Sequence, residues 1–276
     1  MTLNKNKGTP SSPVDGHVHL HHLSFVSRTL EAARANFERV SGRREGIQGV
    51  LLLTQAGSEH VFEQLEGAGA IDGWRFEPAA NEPQTLIARQ NGGSALAIVC
   101  GRQVRARGGL EVLALGTKQE FADNQSFAET LKAVRASDGL PVLPWGFGKW
   151  LGKRGTEIEE TLRAAGNRAL YVGDNASRLN MLGLPALIRK SEQQGFRVLP
   201  GTDPFPFGGD YRRVGGFGFF AESSIDERAP WGSLRSWLNG LNKSPTPFGH
   251  ALGPVKFGVN QFGIQIYNRF FRSKAR

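Results

Sequence analysis

The sequence predicts an α/β fold built as a TIM-like barrel, and three observations carry that prediction. Short apolar runs alternate with amphipathic helical patterns along most of the 276 residues, the rhythm of a parallel sheet covered by helices. The run at 47–54 is almost uninterruptedly apolar, as a strand covered on both faces must be. Polar residues follow directly on the runs, at the strand ends where such a barrel keeps its chemistry.

The elements follow in order. Residues 15–20 read as the first strand, with His17 and His19 at i and i+2 on one face because strand side chains alternate with period two. Residues 24–41 read as a helix with Phe25, Leu30, Ala33, Phe37 and Val40 inward, closed by Gly42. The strand at 47–54 leads to a short helix at 58–66. From 74 to 117 the rhythm changes to three apolar runs (85–90, 95–99, 109–115) separated by Asn91-Gly92-Gly93 and Arg107-Gly108-Gly109, steps that supply the positive φ of tight hairpins. This section predicts an inserted β-meander. Alternation then resumes with a helix at 127–136, a strand at 140–143, a helix at 156–165 capped by Thr156, a strand at 169–172, a helix at 184–194 and a strand at 196–199. A helix at 230–241 follows, with Trp231, Leu234, Trp237, Leu238 and Leu241 as its apolar stripe. Pro245-Thr246-Pro247 breaks the chain before a basic, aromatic C-terminal extension.

Composition sets the bounds. With 39% hydrophobic residues the chain can bury a core as one domain. The expected division is a disordered tail at 1–12, the barrel at 13–243 and the extension at 244–276. The single cysteine, Cys100, has no intramolecular partner, so the fold needs no oxidising compartment. With neither a signal-peptide core nor a spanning segment in view, the expected location is cytoplasmic. A net charge of +9 points to an anionic partner. The charge is spread, with no nucleic-acid-binding signature, so nucleic acid ranks below phosphate and lipid.

The residues after each strand are His17 and His19, Gln55, Gln103, Trp145, Asp174 with Asn175, and Asp203. Two imidazoles on one strand face can reach one cation, and Asp203 is the natural carboxylate partner, as ligand or as proton acceptor. Asp174 is a second catalytic candidate. Around this rim the Gly-rich loop 146–155 carries Lys149, Lys153 and Arg154, while Arg178 and Arg212 lie further on. Backbone N–H groups at a helix start with Lys and Arg make an anion site.

These pieces resemble the PHP (polymerase and histidinol phosphatase) superfamily of metal-dependent phosphoesterases. Asp15-Gly16-His17-Val18-His19 is similar to its first motif, Asp-x-His-x-His. Residues 51–56 fall where it has a strand ending in Thr-Asp-His, and 101–116 resemble its third-motif hairpin. Pro141-Val142-Leu143-Pro144-Trp145 resembles its strand ending in His-Pro, and Gly201-Thr202-Asp203-Pro204-Phe205 its closing Gly-Ser/Thr-Asp-x-His. The resemblance implies a distorted (β/α)7-type barrel and up to three metals. Departures reduce that number: Gln55, Ala56, Gln103, Trp145 and Phe205 stand where the family has ligands. His17, His19 and Asp203 remain, enough for one divalent metal, Zn²⁺ or Mn²⁺. His21, His22, His60 and Glu59 are available to supply a missing ligand.

Two readings follow from different classes. One is a hydrolase of PHP-like or amidohydrolase-like type that uses one metal on a phosphoester or other anionic small molecule, held by Lys149, Lys153, Arg154, Arg178 or Arg212. The other is a catalytically degenerate barrel serving as a binding module. In the tail, Phe262, Ile266 and Phe270 recur at helical spacing beside Lys256, Arg269, Arg272, Lys274 and Arg276, a pattern that predicts peripheral contact with an anionic membrane or docking on the barrel. The oligomeric state is not legible in the sequence.

Overall fold

The computed structural model describes residues 11–271 apart from 44, 91–92, 147, 167–169 and 208, and for residues 182 and 264–271 the backbone alone. The chain opens with β1 (Ser12–Val18), buried throughout, and a short 3₁₀ turn leads into α1 (Val26–Ser41). Leu30, Ala33 and Phe37 of α1 are buried as its periodicity requires, and Gly42 ends it at a φ of 71°. Phe25 departs from the expected stripe, because it precedes the helix and stays 44% exposed. β2 (Ile47–Leu53) is buried at every position, and β3 (Gln55–Ala56) and α2 (Val61–Ala68) follow.

The meander begins earlier than the apolar runs suggest. β4 (Ala70–Ile71) and β5 (Trp74–Ala79) precede β6 (Glu82–Gln90) and β7 (Ala95–Val99), and β5, β6 and β7 pair antiparallel in succession. The expected hairpin at Asn91-Gly92 lies outside the described residues. β7 is more than an insertion, because it pairs parallel with β2. Beyond Cys100 the chain continues as β8 (Gly101–Arg105), which pairs antiparallel with β9 (Glu111–Leu115).

α3 (Phe127–Ala136) has the predicted bounds and a capping box, in which Ser126 Oγ accepts from the Glu129 N–H and Glu129 accepts from the Ser126 N–H. β10 (Leu140–Pro144), α4 (Lys153–Ala165), β11 (Tyr171–Asn175), α5 (Ala186–Gln193) and β12 (Val198–Gly201) complete the alternation. Thr156 is not the cap of α4: Gly152, at a φ of 58°, turns the chain into the helix, and Thr156 sits inside its first turns. β13 (Phe217–Ala221), α6 (Pro230–Asn239), β14 (Pro247–Gly249) and α7 (Pro254–Phe271) close the chain.

Pairing gives two mixed sheets among the described residues, ordered β14-β13-β1-β2-β7-β6-β5-β4 and β12-β11-β10-β9-β8-β3. Alternation along the strands decides how they pack. Val14, Val50, Leu52, Ala97, Val99, Leu113, Leu115, Val142, Tyr171 and Leu199 point into one common core drawn from both sheets. Their neighbours point outward: Leu51, Leu53 and Leu96 against α1 and α2, Val112, Leu143 and Val172 against α3, α4 and α5. Trp231, Leu234 and Leu238 of α6 belong to the common core. Glu82 fastens that helix, accepting from the Trp231 and Gly232 N–H groups at its start at 2.6 and 2.8 Å, where a carboxylate also meets the positive end of the helix dipole.

The expected boundaries shift. Ser12 already belongs to β1, residues 1–10 lie outside the described residues, and β14, from the expected extension, pairs with β13. No helix among the described residues is long and apolar enough to cross a membrane.

Candidate metal centre

Strands β1 and β12 meet at two glycines. A Cβ on Gly16 would stand 2.6 Å from the Pro200 carbonyl oxygen, and one on Gly201 would stand 2.6 Å from His17 Cβ. Only hydrogen fits at either place. The close approach lets the Asp203 N–H donate to the His17 carbonyl oxygen at 2.8 Å, and Asp203 itself adopts a φ of 44°, a conformation that aspartate tolerates better than most residues. That turn aims its carboxylate at the two histidines.

The result is a compact triad. His17 Nε2 and His19 Nε2 are 3.2 Å apart, and Asp203 Oδ1 is 3.5 Å from each. Both histidines are buried. Tetrahedral bonds of about 2.0–2.1 Å put ligand atoms roughly 3.4 Å apart, so the three separations match one face of such a site. Gln103 Oε1, 3.1 Å from His17 Nε2, is a neutral fourth donor beside it. The donor set fits one borderline divalent cation.

Asn175 Nδ2 donates to Asp203 Oδ2 at 2.7 Å, which orients the carboxylate. Asp15, the first residue of the motif, is a strut and not a ligand. Fully buried, it accepts from the Thr202 N–H and Oγ1 and from the Gly215 N–H at 2.6–2.8 Å, and burial still pushes its carboxyl up to about 6. On the far side of His19, Glu59 Oε2 lies 3.9 Å from Nδ1, and Glu59 also accepts from the Ala56 N–H and pairs with His21.

Electrostatics splits the imidazoles. Burial drives His17 down to about 4. Burial would also lower His19, but the carboxylates of Asp203 and Glu59, 3.5 and 3.9 Å away, outweigh that and raise it to about 9. Burial works to raise both carboxyls, yet the imidazoles hold Asp203 and Glu59 well below the usual carboxylate range.

Several sequence-predicted residues are employed elsewhere. Asp174 does not face the triad, because its neighbour Asn175 does and strand side chains alternate. Both Asp174 oxygens bind Arg178, at 2.8 and 2.9 Å, so Arg178 is engaged in the same pair. Gln55 accepts from the Phe62 N–H and so caps α2, Trp145 packs against the outer core, and Phe205 stacks on Phe207. His60 lies with Arg102 and Glu120.

The basic set disperses. Lys149 Nζ pairs with Glu111 at 2.5 Å and lowers the Asp203 carboxyl electrostatically, so it belongs to the rim. Arg154 donates to the Gly148 carbonyl, Lys153 is exposed in the first turn of α4, and exposed Arg212 lies 5.4 Å from the Tyr211 ring centre. Glu111 was missed in the sequence. It stands in phase with inward Leu113 and Leu115, a parity that could have exposed it.

Two clefts flank the triad. One, of about 140 Å³, runs from His19 and His21 along Phe25, Phe205, Phe207 and Tyr211. The other, of about 340 Å³, is polar and lies between Gln55, His60, Arg102, Gln103 and Asp123. No family model matches the chain, and no curated protein sequence matches it.

Proposed function

We propose that the chain is a PHP-like hydrolase that holds one divalent cation, Zn²⁺ or Mn²⁺, on His17 Nε2, His19 Nε2 and Asp203 Oδ1, and that it acts on a phosphoester or other anionic small molecule. The observation that carries this reading is the triad itself, two buried imidazoles and a carboxylate converging at 3.2–3.5 Å. The common core shared by both sheets and the position of the triad at the carboxyl ends of parallel β1 and β12 support a distorted barrel of the same kind.

A cation bound there supplies Lewis acidity, polarising a phosphoryl oxygen and acidifying a water. The chain's own groups do the rest. Asn175 keeps Asp203 oriented through Oδ2, whose remaining lone pair can accept a proton from an attacking water. Glu59 faces His19 Nδ1 and favours the tautomer that leaves Nε2 as the donor. Lys149, at the rim beside Glu111, offers a positive charge to an anionic substrate.

The degenerate binding module is kept as the second reading for a specific reason: Gln55, Trp145 and Phe205, at the family's ligand positions, are built into capping and packing. Metal analysis of protein purified without added metal separates the two. The hydrolase reading expects about one equivalent of transition metal, lost in His17→Ala, and turnover in a panel of phosphoesters. Absence of stoichiometric metal, with no thermal shift on adding Zn²⁺ or Mn²⁺, refutes it, and activity confined to amides removes the phosphoester assignment.

A further inference from the structure

The cleft that opens beside His19 is walled by aromatic rings. Phe205 and Phe207 lie parallel, 5.4 Å apart at 8°, on the loop that leaves Asp203. Phe25 and Tyr211, 6.0 Å apart at 26°, form a second stacked pair lining the same space. Its volume of about 140 Å³ is close to that of an engineered cavity of roughly 150 Å³ that takes benzene. Phe205 is two residues from Asp203, and His19 lines the cleft directly. A group seated there is therefore joined to whatever reacts at the triad.

The wall is held by an unusual hub. Asp210 is buried, and its carboxylate accepts from the Phe205 N–H at 3.0 Å, from Arg213 at 2.9 Å and from Lys256 of α7 at 2.9 Å. Gly263 of α7 lies against the Phe207 ring, where a Cβ would come within 3.0 Å of Cδ2. One carboxylate thus ties the Phe205 loop to the C-terminal helix. A buried ionic anchor beneath two half-buried rings fixes a flat apolar surface next to the polar centre.

We propose that this cleft receives an aromatic group of the substrate, so that the triad acts on an aryl phosphoester in preference to an alkyl one. The proposal rests on the hydrolase reading for its reaction and on the rings for its selectivity. Burial of a ring together with its stacking makes a phenyl group bind about tenfold or more tightly than a methyl group.

Phenylphosphonate and methylphosphonate share the anionic head and resist hydrolysis, which suits them as probes for calorimetry on the full chain, with Zn²⁺ stoichiometry measured alongside. The expected result is a preference for phenylphosphonate of roughly tenfold or more, falling below about threefold in both Phe207→Ala and Phe207→Leu. The leucine variant keeps an apolar side chain against α7 and guards against simple unfolding. Equal affinities in protein that binds Zn²⁺, a preference untouched by both substitutions, or no detectable binding of either probe overturns the proposal while the metal result still decides the hydrolase reading. A phenyl preference in protein that binds no Zn²⁺ supports the aromatic cleft and refutes the hydrolase.

Discussion

Gly201→Ala is the sharpest perturbation of the proposed centre, because it touches no ligand. The added Cβ would lie 2.6 Å from His17 Cβ and 2.8 Å from the Gly16 carbonyl carbon, whereas carbon atoms rest about 3.5–4.0 Å apart. β12 must therefore withdraw from β1 by about 1 Å. Overpacking of this kind costs about 1–3 kcal/mol, which at roughly 2–4 °C per kcal/mol for a chain near this size lowers Tm by about 2–12 °C. The effect on metal should be larger than the effect on folding. Asp203 lies just beyond β12 and its N–H is bonded to the His17 carbonyl oxygen of β1, so withdrawing β12 moves the carboxylate from the histidines. Ligand distances tolerate only about 0.2 Å, and Zn²⁺ affinity should fall by about 100-fold or more. Thermal melting with and without Zn²⁺, together with calorimetric titration, reads both quantities. Gly67→Ala is the control, since a Cβ there meets nothing within 4 Å, and it should not destabilise the chain. If Gly201→Ala melts like the parent and binds Zn²⁺ within threefold of it, the close approach of β1 and β12 does not set the triad.

Three further outcomes are expected. In metal-free protein, His19 is raised from 6.5 to about 9, so its contribution is complete below pH 6.5 and is lost as pH rises to 9. His17, lowered to about 4, costs stability as pH falls from 6.5, while Asp15, raised to about 6, returns stability over nearly the same range. The readable change in chelator is therefore a fall in Tm between pH 6.5 and 9, and a Tm that does not fall there refutes the His19 assignment. Arg178→Ala should destabilise by about 3–5 kcal/mol, by leaving the buried Asp174 carboxylate unpaired, with Zn²⁺ affinity unchanged; a loss of metal without a loss of stability would return the pair to the site. The exposed Val255, Val259 and Phe262 on α7, beside the basic residues of the tail, predict sedimentation with anionic vesicles at low salt that Val259→Glu with Phe262→Glu abolishes; equal recovery of both proteins in the supernatant removes membrane contact.

What was legible locally was legible well. His17 and His19 follow from period two, α3 from the return of helical alternation, and β2 from an apolar run needing no partner to be recognised. Asp203 was legible because Gly-Thr-Asp ends a strand. The rest depends on parity and on distant partners. Asp174 and Asn175 are adjacent, and only the phase of β11 decides which faces the triad. β8 and β14 are short and carry Gly with Arg or Pro, so they acquire strand character by pairing with β9 and with β13 rather than by composition. Gln55 reads as a ligand position until α2 folds over it and takes its oxygen. Nothing local singles out Asp210, since its partner Lys256 lies far along the chain.

Cys100 gives the molecule a reporter of its own. It is the chain's one thiol, buried where β7 passes into β8, and its carbonyl accepts from the Gly116 N–H at 2.9 Å across the seam between the two sheets. Burial pushes the thiol up to about 12, so near neutral pH the reactive thiolate is a vanishing fraction. The thiol itself packs in the outer core with Phe62 and Leu65 of α2, so alkylation of the native protein waits on α2 lifting from the sheet. Labelling kinetics at this one atom, followed by mass, count how often α2 uncovers it, with no engineered probe and no need for activity.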